Sequence, residues 1–303
     1  MKILVFGENS QVGKELYNLI FNSSYDYKFT NSKEMNFLDK DSIKKNILEY
    51  NPNIIINFSA YTDVDKCEYN RKESYLINAK APEIIAKTAL ELNALLIHIS
   101  TDYIFGKNKG PFFYDSLAEP VNYYGLSKLD AEKAIIKSKC NSIIIRTSSI
   151  FSSFGKNFVK TIANKIISNH QIKIVKDQMI SMTYARDLAQ AIISIIDHED
   201  INLITEKNKP FILHYSNIGF TNWLDVTNLI VKDIGKFHRF EGKITPINLS
   251  EWVSEAERPL DSRLSLDNDL LDFLNIKLYN WEERVSRVID SLYENRDNID
   301  DKS

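Results

Sequence analysis

Hydrophobic positions in the first half of the chain follow two alternating patterns. Residues 3–6, 53–57 and 95–99 are short runs rich in Ile, Leu and Val, which is typical of strands buried on both faces of a parallel sheet. Between them, residues 12–20 and 82–92 carry apolar side chains three and four positions apart, which predicts helices that pack one face against that sheet. Strands that alternate with helices predict right-handed βαβ units and therefore an α/β fold with a parallel sheet.

The rest of the chain continues this pattern less regularly. Further strands are predicted at residues 27–30, 142–145, 172–175 and 211–215, and further helices at 41–50, 126–139, 158–167, 184–196 and 223–234. The pattern loosens beyond residue 150, which predicts a second, smaller unit. We expect the chain to return to the first sheet around residues 184–217.

Composition excludes several classes of protein. With 303 residues, 44% hydrophobic and 26% charged, the chain is long enough to bury a sizeable core. Its formal net charge of -3 argues against a general attraction to nucleic acid or to acidic membrane surfaces. Cys67 and Cys140 form no CxxC pair, which fits a reducing compartment. Because no apolar run approaches the roughly 18 residues of a membrane span, we predict a cytoplasmic protein with no membrane partner.

The turn after the first strand has the spacing of a phosphate-binding loop. Gly7 and Gly13 occupy two glycine positions of a GxxGxxG pattern, which lets backbone approach a pyrophosphate at the N-terminus of the following helix. Ser10 replaces the middle glycine, and its side chain either crowds the phosphate or hydrogen-bonds to it. A turn that binds nothing has the same spacing, but the N-terminal position and the parallel sheet favour a dinucleotide site.

The end of the second strand bears on the choice of dinucleotide. An acid that holds the ribose 2′-hydroxyl usually stands about 20 residues after the glycine-rich turn. Here Ser32 and Lys33 come first and Glu34 comes late. A cation with hydroxyl donors suits a 2′-phosphate better than a bare ribose, so we predict NADPH and leave NADH open.

A tyrosine and a lysine stand four residues apart at the start of the helix near residue 126. Residues at this spacing share a helix face, and an ammonium beside a phenol lowers the phenol pKa, so Lys128 would make Tyr124 a general acid. The alternative is a surface pair. Tyr103 and Lys107 have the same spacing, but Lys107 lies in a glycine-containing loop with no fixed face.

Hydroxyl side chains end the strand at 95–99. The carboxyl ends of parallel strands gather at the ligand crevice, where Ser100 and Thr101 would lie near Tyr124 and hydrogen-bond a substrate carbonyl. The alternative is an ordinary strand terminus. His98, within the same apolar strand, is expected to be a core residue rather than a metal ligand.

Eight stretches of the chain together resemble a known family. They are GENSQVGKEL, INFSAYTDVDKCE, LIHISTDYIFG, PVNYYGLSKLDAEKA, RTSSIF, NFVKTIANKI, DQMISMTYARDLA and ERPLDSRLS, in family order from residue 7 to about residue 265. In these stretches the chain resembles an extended short-chain dehydrogenase/reductase of the dTDP-4-dehydrorhamnose reductase family. The second and third stretches are more specific to this branch than the tyrosine–lysine pair.

The resemblance implies both a fold and an activity. The implied fold is a Rossmann-type doubly wound parallel sheet (1–155 and 184–217) with a smaller C-terminal α/β substrate domain for a sugar nucleotide (156–183 and 218–303). The implied activity is NAD(P)H-dependent reduction of the 4-keto group of a dTDP-linked 6-deoxyhexose, that of dTDP-4-dehydro-L-rhamnose above all, for cell-surface polysaccharide synthesis. A homodimer is open. The alternatives are another nucleotide-sugar reductase or epimerase, and a non-catalytic subunit resembling the regulatory subunit of methionine adenosyltransferase.

Carried over by position, the resemblance also implies the roles of individual residues. Thr101 would hold the carbonyl, Tyr124 would be the acid, and Lys128 would lower its pKa and hold the nicotinamide ribose. With Ser32 and Lys33, the implied cofactor-binding residues are Gly7, Ser10, Gln11, Val12, Gly13, Asn36, Phe37, Ser59, Ala60 and Tyr61. The implied substrate-binding residues are Val64, Tyr103, Ser149, Asn157 and Arg258. For Arg258, which lies near Asp261 and Arg263 in the sequence, gripping the diphosphate and forming a helix-end salt bridge are equal alternatives.

The chain departs from the family pattern at several positions. Asn36 and Phe37 stand where the family often has an acid and an aliphatic residue, and Ser149 stands where an aromatic residue is common. Some family members carry a metal-bridged dimer. Glu15 matches one part of that metal site, but Arg186 occupies the place of an acid, so we predict no metal.

Overall fold

The computed structural model describes residues 1–200 and 210–300, with side chains up to residue 293. The strands are β1 (Lys2–Phe6), β2 (Asp26–Thr30), β3 (Ile54–Asn57), β4 (Leu95–Thr101), β5 (Ser142–Thr147), β6 (Ile150–Phe151), β7 (Ile172–Val175), β8 (Met179–Ser181), β9 (Thr183–Tyr184), β10 (Phe211–His214), β11 (Phe220–Asn222) and β12 (Ile244–Ile247). The helices are α1 (Gln11–Ile20), α2 (Lys40–Tyr50), α3 (Val64–Tyr69), α4 (Arg71–Tyr75), α5 (Ala81–Leu92), α6 (Tyr123–Ser138), α7 (Phe158–Ile167), α8 (Ala185–Asp197), α9 (Trp223–Ile234), α10 (Asn268–Phe273) and α11 (Trp281–Asp300). A π-helical turn covers Leu76–Lys80, and 3-10 turns cover Asp102–Ile104 and Leu249–Glu251.

Six parallel strands form the central sheet in the order β2-β1-β3-β4-β5-β10. The chain leaves β1 toward β2 and then returns to the other side of β1 with β3. This reversal makes the carboxyl ends of β1 and β3 a topological switch point, where ligands of such sheets bind. The predicted α/β fold with a parallel sheet is confirmed.

Short local signals set the ends of the elements. Helices α2, α5 and α6 each end in a left-handed residue, namely Asn51, Asn93 and Lys139, before the chain turns into the next strand. Asparagine tolerates this conformation better than most residues with a side chain. Helix α6 begins three residues earlier than predicted because the Asn122 side chain caps it, accepting a hydrogen bond from Gly125 N at 2.8 Å.

Two apolar layers cover the sheet, and a third core lies apart from it. Helices α1 and α8 pack on one face of the sheet, and α2, α5 and α6 pack on the other. The third core joins α7, α9 and α11 with the small β7–β12 and β8–β11 pairs. Strand β10 pairs with β5 at the edge of the main sheet.

The predicted domain ranges stay a prediction, and they divide the chain differently from its packing at several residues. Phe151 and Tyr184, assigned to the first unit, pack in the third core. Leu271, Leu274 and Ile276 fall in the range 218–303 assigned to the second unit, yet they pack in the core of the first, on the α1–α8 face. Their apolar side chains cover part of that face, so this segment returns to the sheet. Parts of the predicted ranges, 201–209 and 301–303, lie outside the described residues. Within the part of the chain that is described, no helix combines the length and apolar character needed to cross a membrane.

Candidate active site

A cleft of about 470 Å³ opens at the carboxyl ends of β1, β3, β4 and β5. It brings together residues that the sequence analysis assigned to separate stretches of the chain. Eight predicted site residues line it: Ser10, Gln11, Val12, Ala60, Thr101, Tyr124, Lys128 and Ser149. The phosphate turn, the hydroxyl strand end and the tyrosine–lysine pair therefore share one crevice.

The first turn requires both of its glycines. Gly7 has a φ of +92°, and a Cβ there would lie 3.0 Å from the backbone carbon of Phe58. A Cβ on Gly13 would lie 2.3 Å from the carbonyl oxygen of Gly7, closer than atoms can pack. Ser10 is the N-cap of α1, and its Oγ accepts a hydrogen bond from Gly13 N at 2.9 Å. Ser10, which replaces the middle glycine of the pattern, thus stabilises the turn through this hydrogen bond.

Gln11 connects this turn with β6 and with the segment that follows it. Its Nε2 donates to the Ile150 carbonyl at 3.2 Å, and its Oε1 accepts from Asn157 Nδ2 at 2.8 Å. Asn157 also caps α7, since its Oδ1 accepts from Lys160 N at 3.0 Å. The amide group of Asn157 is thus occupied by the protein and does not line the cleft, and its contact with substrate stays a prediction.

The residues predicted to contact the adenine end lie at the surface after β2. Ser32, Lys33 and Asn36 are exposed, and none of them lines the cleft. Phe37 is half-buried and packs edge-to-face on Phe6, with ring centres 5.5 Å apart. In the same region, Asn31 Nδ2 donates to Glu8 Oε2 at 2.9 Å, which places a carboxylate beside the end of β2.

The segment after β3 reaches the cleft with only some of its predicted residues. Ala60 lines the cleft, whereas the amides of Ser59 and Tyr61 are used inside the protein. Ser59 N donates to Asn57 Oδ1 at 3.0 Å, and Tyr61 N donates to Asn78 Oδ1 at 2.7 Å. Ser59 and Tyr61 therefore hold the loop in place rather than line the crevice.

Lys128 lies buried on the face of α6 that covers β4. Its Nζ donates to the Ile99 carbonyl at 2.7 Å and lies 3.3 Å from His98 Nε2. Burial lowers the pKa of Lys128 to about 8, and the carboxylate of Glu132 opposes this shift. His98 is buried, as expected of a core residue, but its contact with Lys128 was not predicted.

Tyr124 lies in the first turn of α6, and its ring packs edge-to-face on Tyr103 with centres 5.8 Å apart. Burial raises the pKa of Tyr124, and an interaction with the Thr101 hydroxyl opposes the shift. The net shift of the Tyr124 pKa is therefore upward, and a lowering of this pKa by Lys128 stays a prediction. The physical reason is that the phenol is desolvated, while the ammonium is directed to the Ile99 carbonyl and His98.

A buried carboxylate lies directly behind Thr101. Thr101 Oγ1 donates to Asp102 Oδ1 at 3.0 Å, and Ser148 Oγ donates to Asp102 Oδ2 at 2.7 Å. Ser149, which lines the cleft with a φ of +44°, has its Oγ 3.3 Å from that of Ser148. Sequence reasoning missed Asp102 because an acid after a strand end reads as a turn residue.

The predicted substrate residues Val64, Tyr103 and Arg258 lie outside the cleft lining. Arg258 Nη2 donates to Asp65 Oδ2 at 2.9 Å. This pair joins the start of α3 to the segment that precedes Asp261, and Asp261 itself pairs with Met179 of β8. Of the two alternatives for Arg258, the structure contains a salt bridge, but the partner is Asp65. Asp261 pairs with Arg263 instead. Arg258 Nη1 is buried and has no hydrogen-bond partner among the described residues.

Several cleft residues were not predicted as site residues. Asn9, Thr62, Thr147, Gly155 and Lys156 line the cleft beside those named above. The hydroxyl of Ser100, also in the lining, is buried without a hydrogen-bond partner in the described part of the chain. The position of Ser100 at the end of a strand could have indicated a site residue. Lys156 lies in a loop whose approach to the cleft depends on the tertiary structure, and no local sequence pattern indicates it.

Glu15, the residue that matched part of a metal site, is buried and lies 3.5 Å from Arg186 Nη1. Burial raises the pKa of Glu15, and Arg186 opposes the shift. Within residues 1–200 and 210–293, no group of three or more His, Cys, Asp or Glu side chains is arranged to hold a metal ion.

The parallel sheet, the phosphate turn at its switch point and the Tyr124–Lys128 pair in the same cleft define a Rossmann-type protein of the short-chain dehydrogenase/reductase class. A comparison with family models is more specific. The family described as RmlD substrate binding domain matches residues 1–294, and the chain belongs to this family, that of the dTDP-4-dehydrorhamnose reductases.

Individual relatives agree with this assignment. The chain is 32% identical over 289 residues to the spore coat polysaccharide biosynthesis protein SpsK of Bacillus subtilis, covering 95% of this chain and 96% of that protein. The crystal structure of a dTDP-4-dehydrorhamnose reductase from Clostridium acetobutylicum has 31% identity and a TM-score of 0.86, over 97% of this chain and 100% of that one. The dTDP-4-dehydrorhamnose reductase of Bacillus anthracis, solved in complex with NADP, has 27% identity and a TM-score of 0.83, over 96% and 99%.

Proposed function

We propose that this chain is a reductase that uses NADPH, or NADH, to reduce the 4-keto group of a dTDP-linked 6-deoxyhexose. The substrate that we propose is dTDP-4-dehydro-L-rhamnose, reduced to dTDP-L-rhamnose for polysaccharide synthesis. The single observation that carries the proposal is the shared cleft, in which the N-terminus of α1 and the side chains of Thr101, Tyr124 and Lys128 meet. The names of the relatives supply the substrate class.

The cleft fits a dinucleotide at its phosphate end. The N-terminus of α1 lines it at Gln11 and Val12, and a helix N-terminus attracts phosphate through its amides and dipole. At Gly7 the backbone passes so close to Phe58, a residue of the cleft lining, that a side chain would not fit. When bound there, NADPH supplies the hydride for the reaction.

Residues of the chain itself are proposed to donate the proton and to stabilise the developing charge. Negative charge grows on the sugar oxygen during reduction, and the hydroxyls of Thr101 and Tyr124 are the hydrogen-bond donors proposed to stabilise it. Tyr124 then gives up its phenolic proton to that oxygen. Because burial raises the pKa of this phenol, the acid is fully protonated near neutral pH. Lys128, buried in the same cleft, would stabilise the resulting phenolate by its charge.

The substrate side of the cleft is proposed to involve the third core and the Asp65–Arg258 pair. Arg258 carries a buried Nη1 without a partner in the described residues, and a guanidinium of this kind pairs readily with a diphosphate. Its Nη2 would have to exchange Asp65 for the phosphate oxygens. The homodimer and the cytoplasmic location stay predictions.

A substrate panel tests the proposed function. The purified chain is mixed with dTDP-, UDP- and GDP-linked 4-keto-6-deoxyhexoses, each with NADPH or NADH, and the loss of the reduced-nicotinamide absorbance is followed. We expect one equivalent of cofactor to be consumed per product, with a dTDP sugar the preferred substrate. Product without cofactor consumption would identify an epimerase, and no turnover of any 4-keto sugar would refute a reductase.

A further inference from the structure

Asp102 is a buried ionisable group for which the reaction described above has no use. It lies at the carboxyl end of β4, in the 3-10 turn that follows Thr101, and its side chain is enclosed by the protein. Its two carboxyl oxygens have different partners, Thr101 Oγ1 at 3.0 Å and Ser148 Oγ at 2.7 Å. Through Thr101 on one side and through Ser148 and Ser149 on the other, the carboxyl group connects with the cleft lining.

The hydrogen-bond capacity of Thr101 makes this arrangement consequential. A threonine hydroxyl has one proton to donate and two lone pairs that accept. In the structure its proton goes to Asp102, and one lone pair accepts from Tyr103 N at 3.2 Å. With Asp102 ionised, Thr101 therefore has a lone pair left for the cleft, where the Tyr124 hydroxyl also interacts with it, but no proton. In that state it cannot donate to a sugar oxygen that is gaining negative charge.

Protonation of Asp102 reverses the direction of this bond. The carboxyl O–H then donates to Thr101, whose two lone pairs are filled by Asp102 and Tyr103 N. The threonine proton is released and has the cleft as its remaining direction. Every donor and acceptor of Thr101 is satisfied once a sugar oxygen occupies the cleft beside it.

We propose that Asp102 is a positioning residue, whose own proton decides whether the Thr101 hydroxyl donates its hydrogen bond inward to Asp102 or outward to the substrate. This role rests on the proposed function, since it matters only where an oxyanion forms beside Thr101. Asp102 acts through Thr101 and does not itself line the cleft.

The surroundings of Asp102 allow it to carry a proton at moderate pH. Burial raises its pKa to about 6, and the hydroxyls of Ser262, Ser148 and Thr101 oppose the shift. The Ser262 hydroxyl is near, although it makes no hydrogen bond of good geometry within the described residues. The phenols of Tyr103 and Tyr124 also face Asp102, and its charge contributes to the raised pKa of each. A substrate that excludes water from the cleft raises the pKa of Asp102 further.

The expected signature is a limb in the pH profile. Turnover rises as pH falls toward the pKa of Asp102, and it declines about tenfold per pH unit above that pKa as the protonated fraction falls. Lys128, with a pKa of about 8, produces a second and separate limb at higher pH, and neutral His98 is buried against it. Variants must therefore distinguish the two limbs.

The experiment measures kcat for the dTDP sugar with saturating NADPH from pH 5 to pH 9 in the wild type and in three variants. Asp102→Asn keeps the shape but has no proton to titrate, so its profile is flat between pH 5 and pH 7 while the limb near pH 8 stays. Thr101→Val removes the hydroxyl on which Asp102 acts, and it loses the same lower limb. Ser148→Ala removes a donor to the carboxylate, which raises the pKa of Asp102 and moves the lower limb to higher pH.

Each outcome decides the matter. A lower limb that is absent from the wild type, or one that persists unchanged in Asp102→Asn or Thr101→Val, overturns the role of Asp102. Should Asp102→Asn fail to fold, the Thr101→Val and Ser148→Ala profiles make the same distinction. If the role of Asp102 were only structural, Asp102→Asn would lower kcat at all pH values without moving the lower limb of the pH profile. A wild-type protein with no turnover at any pH would refute the proposed function itself, which separates the two failures.

Discussion

Removing the phenolic hydroxyl of Tyr124 is the most direct test of the proposed chemistry. In Tyr124→Phe the ring keeps its edge-to-face contact with Tyr103, and Lys128 keeps its bond to the Ile99 carbonyl. The change therefore removes a proton donor with little repacking. The unfolding free energy should change by no more than about 1 kcal/mol, the usual net value of a single hydrogen-bonding group.

The loss of activity should be much larger than the loss of stability. Burial raises the Tyr124 pKa, so the acid is protonated at neutral pH and the variant loses its full contribution. Positioned acid catalysis is worth roughly 10²–10⁴-fold, or about 3 to 5 kcal/mol of transition-state stabilisation. We expect kcat to fall by that factor while the dissociation constant of NADPH, measured by fluorescence or calorimetry, changes less than about threefold because the phosphate end is untouched.

Tyr123 provides a matched control on the same helix. Its ring lies under the Arg71 guanidinium, 5.0 Å from the ring centre, and it does not line the cleft. Tyr123→Phe should keep wild-type kcat within about twofold. If Tyr124→Phe retained turnover close to wild type, or if both variants lost activity equally, the assignment of Tyr124 as the acid would be wrong.

Three further predictions concern the turn, the cofactor and pH. Gly13→Ala places a Cβ 2.3 Å from the Gly7 carbonyl oxygen, so it should cost about 1–3 kcal/mol in denaturant unfolding and weaken NADPH binding, whereas an unchanged midpoint would contradict the packing argument. Lys33→Ala should raise the KM for NADPH more than that for NADH. Glu8→Gln, which removes a carboxylate beside β2, should lower the KM for NADPH. Equal effects on the KM values of both cofactors would exclude contact of these residues with a 2′-phosphate. For His214, burial and the charge of Arg146 lower the pKa from 6.5 to about 4. The unfolded state therefore binds the proton first, and the free energy of unfolding should fall by about 3 kcal/mol as pH drops from 6.5 to 4. In thermal melts, a His214→Gln variant should lose this part of the acid sensitivity.

Local patterns were enough to predict most of the sheet and its helices. Buried strands such as Ile54–Asn57 are continuous apolar runs, and helices such as Phe158–Ile167 have a clear apolar face, so their type depends on residues near in sequence. No element bounds were predicted between β3 and α5, where the chain forms α3, α4 and a π-helical turn. Short helices of this kind are held by packing against α6 rather than by their own periodicity.

The candidate site divides in the same way. Gly7, Gly13, Thr101, Tyr124 and Lys128 could be found from sequence because each belongs to a short motif whose chemistry depends on neighbours one to six positions away. A motif identifies residue types and spacing, and the helical spacing placed Tyr124 and Lys128 on one helix, where both line the cleft.

Only the tertiary structure decided what those residues contact. Lys128 meets His98 across thirty positions, Arg258 pairs with Asp65 across 193, and Asn157 is held by Gln11 across 146, none of which any local pattern encodes. The same holds for protonation, because burial is a property of the assembled fold and sets the shifted pKa values of Tyr124 and Lys128. The sequence by itself therefore determined the parallel-sheet architecture and the residues proposed as reacting groups, while the packing of distant segments determined their partners, their solvation and hence their proton affinities.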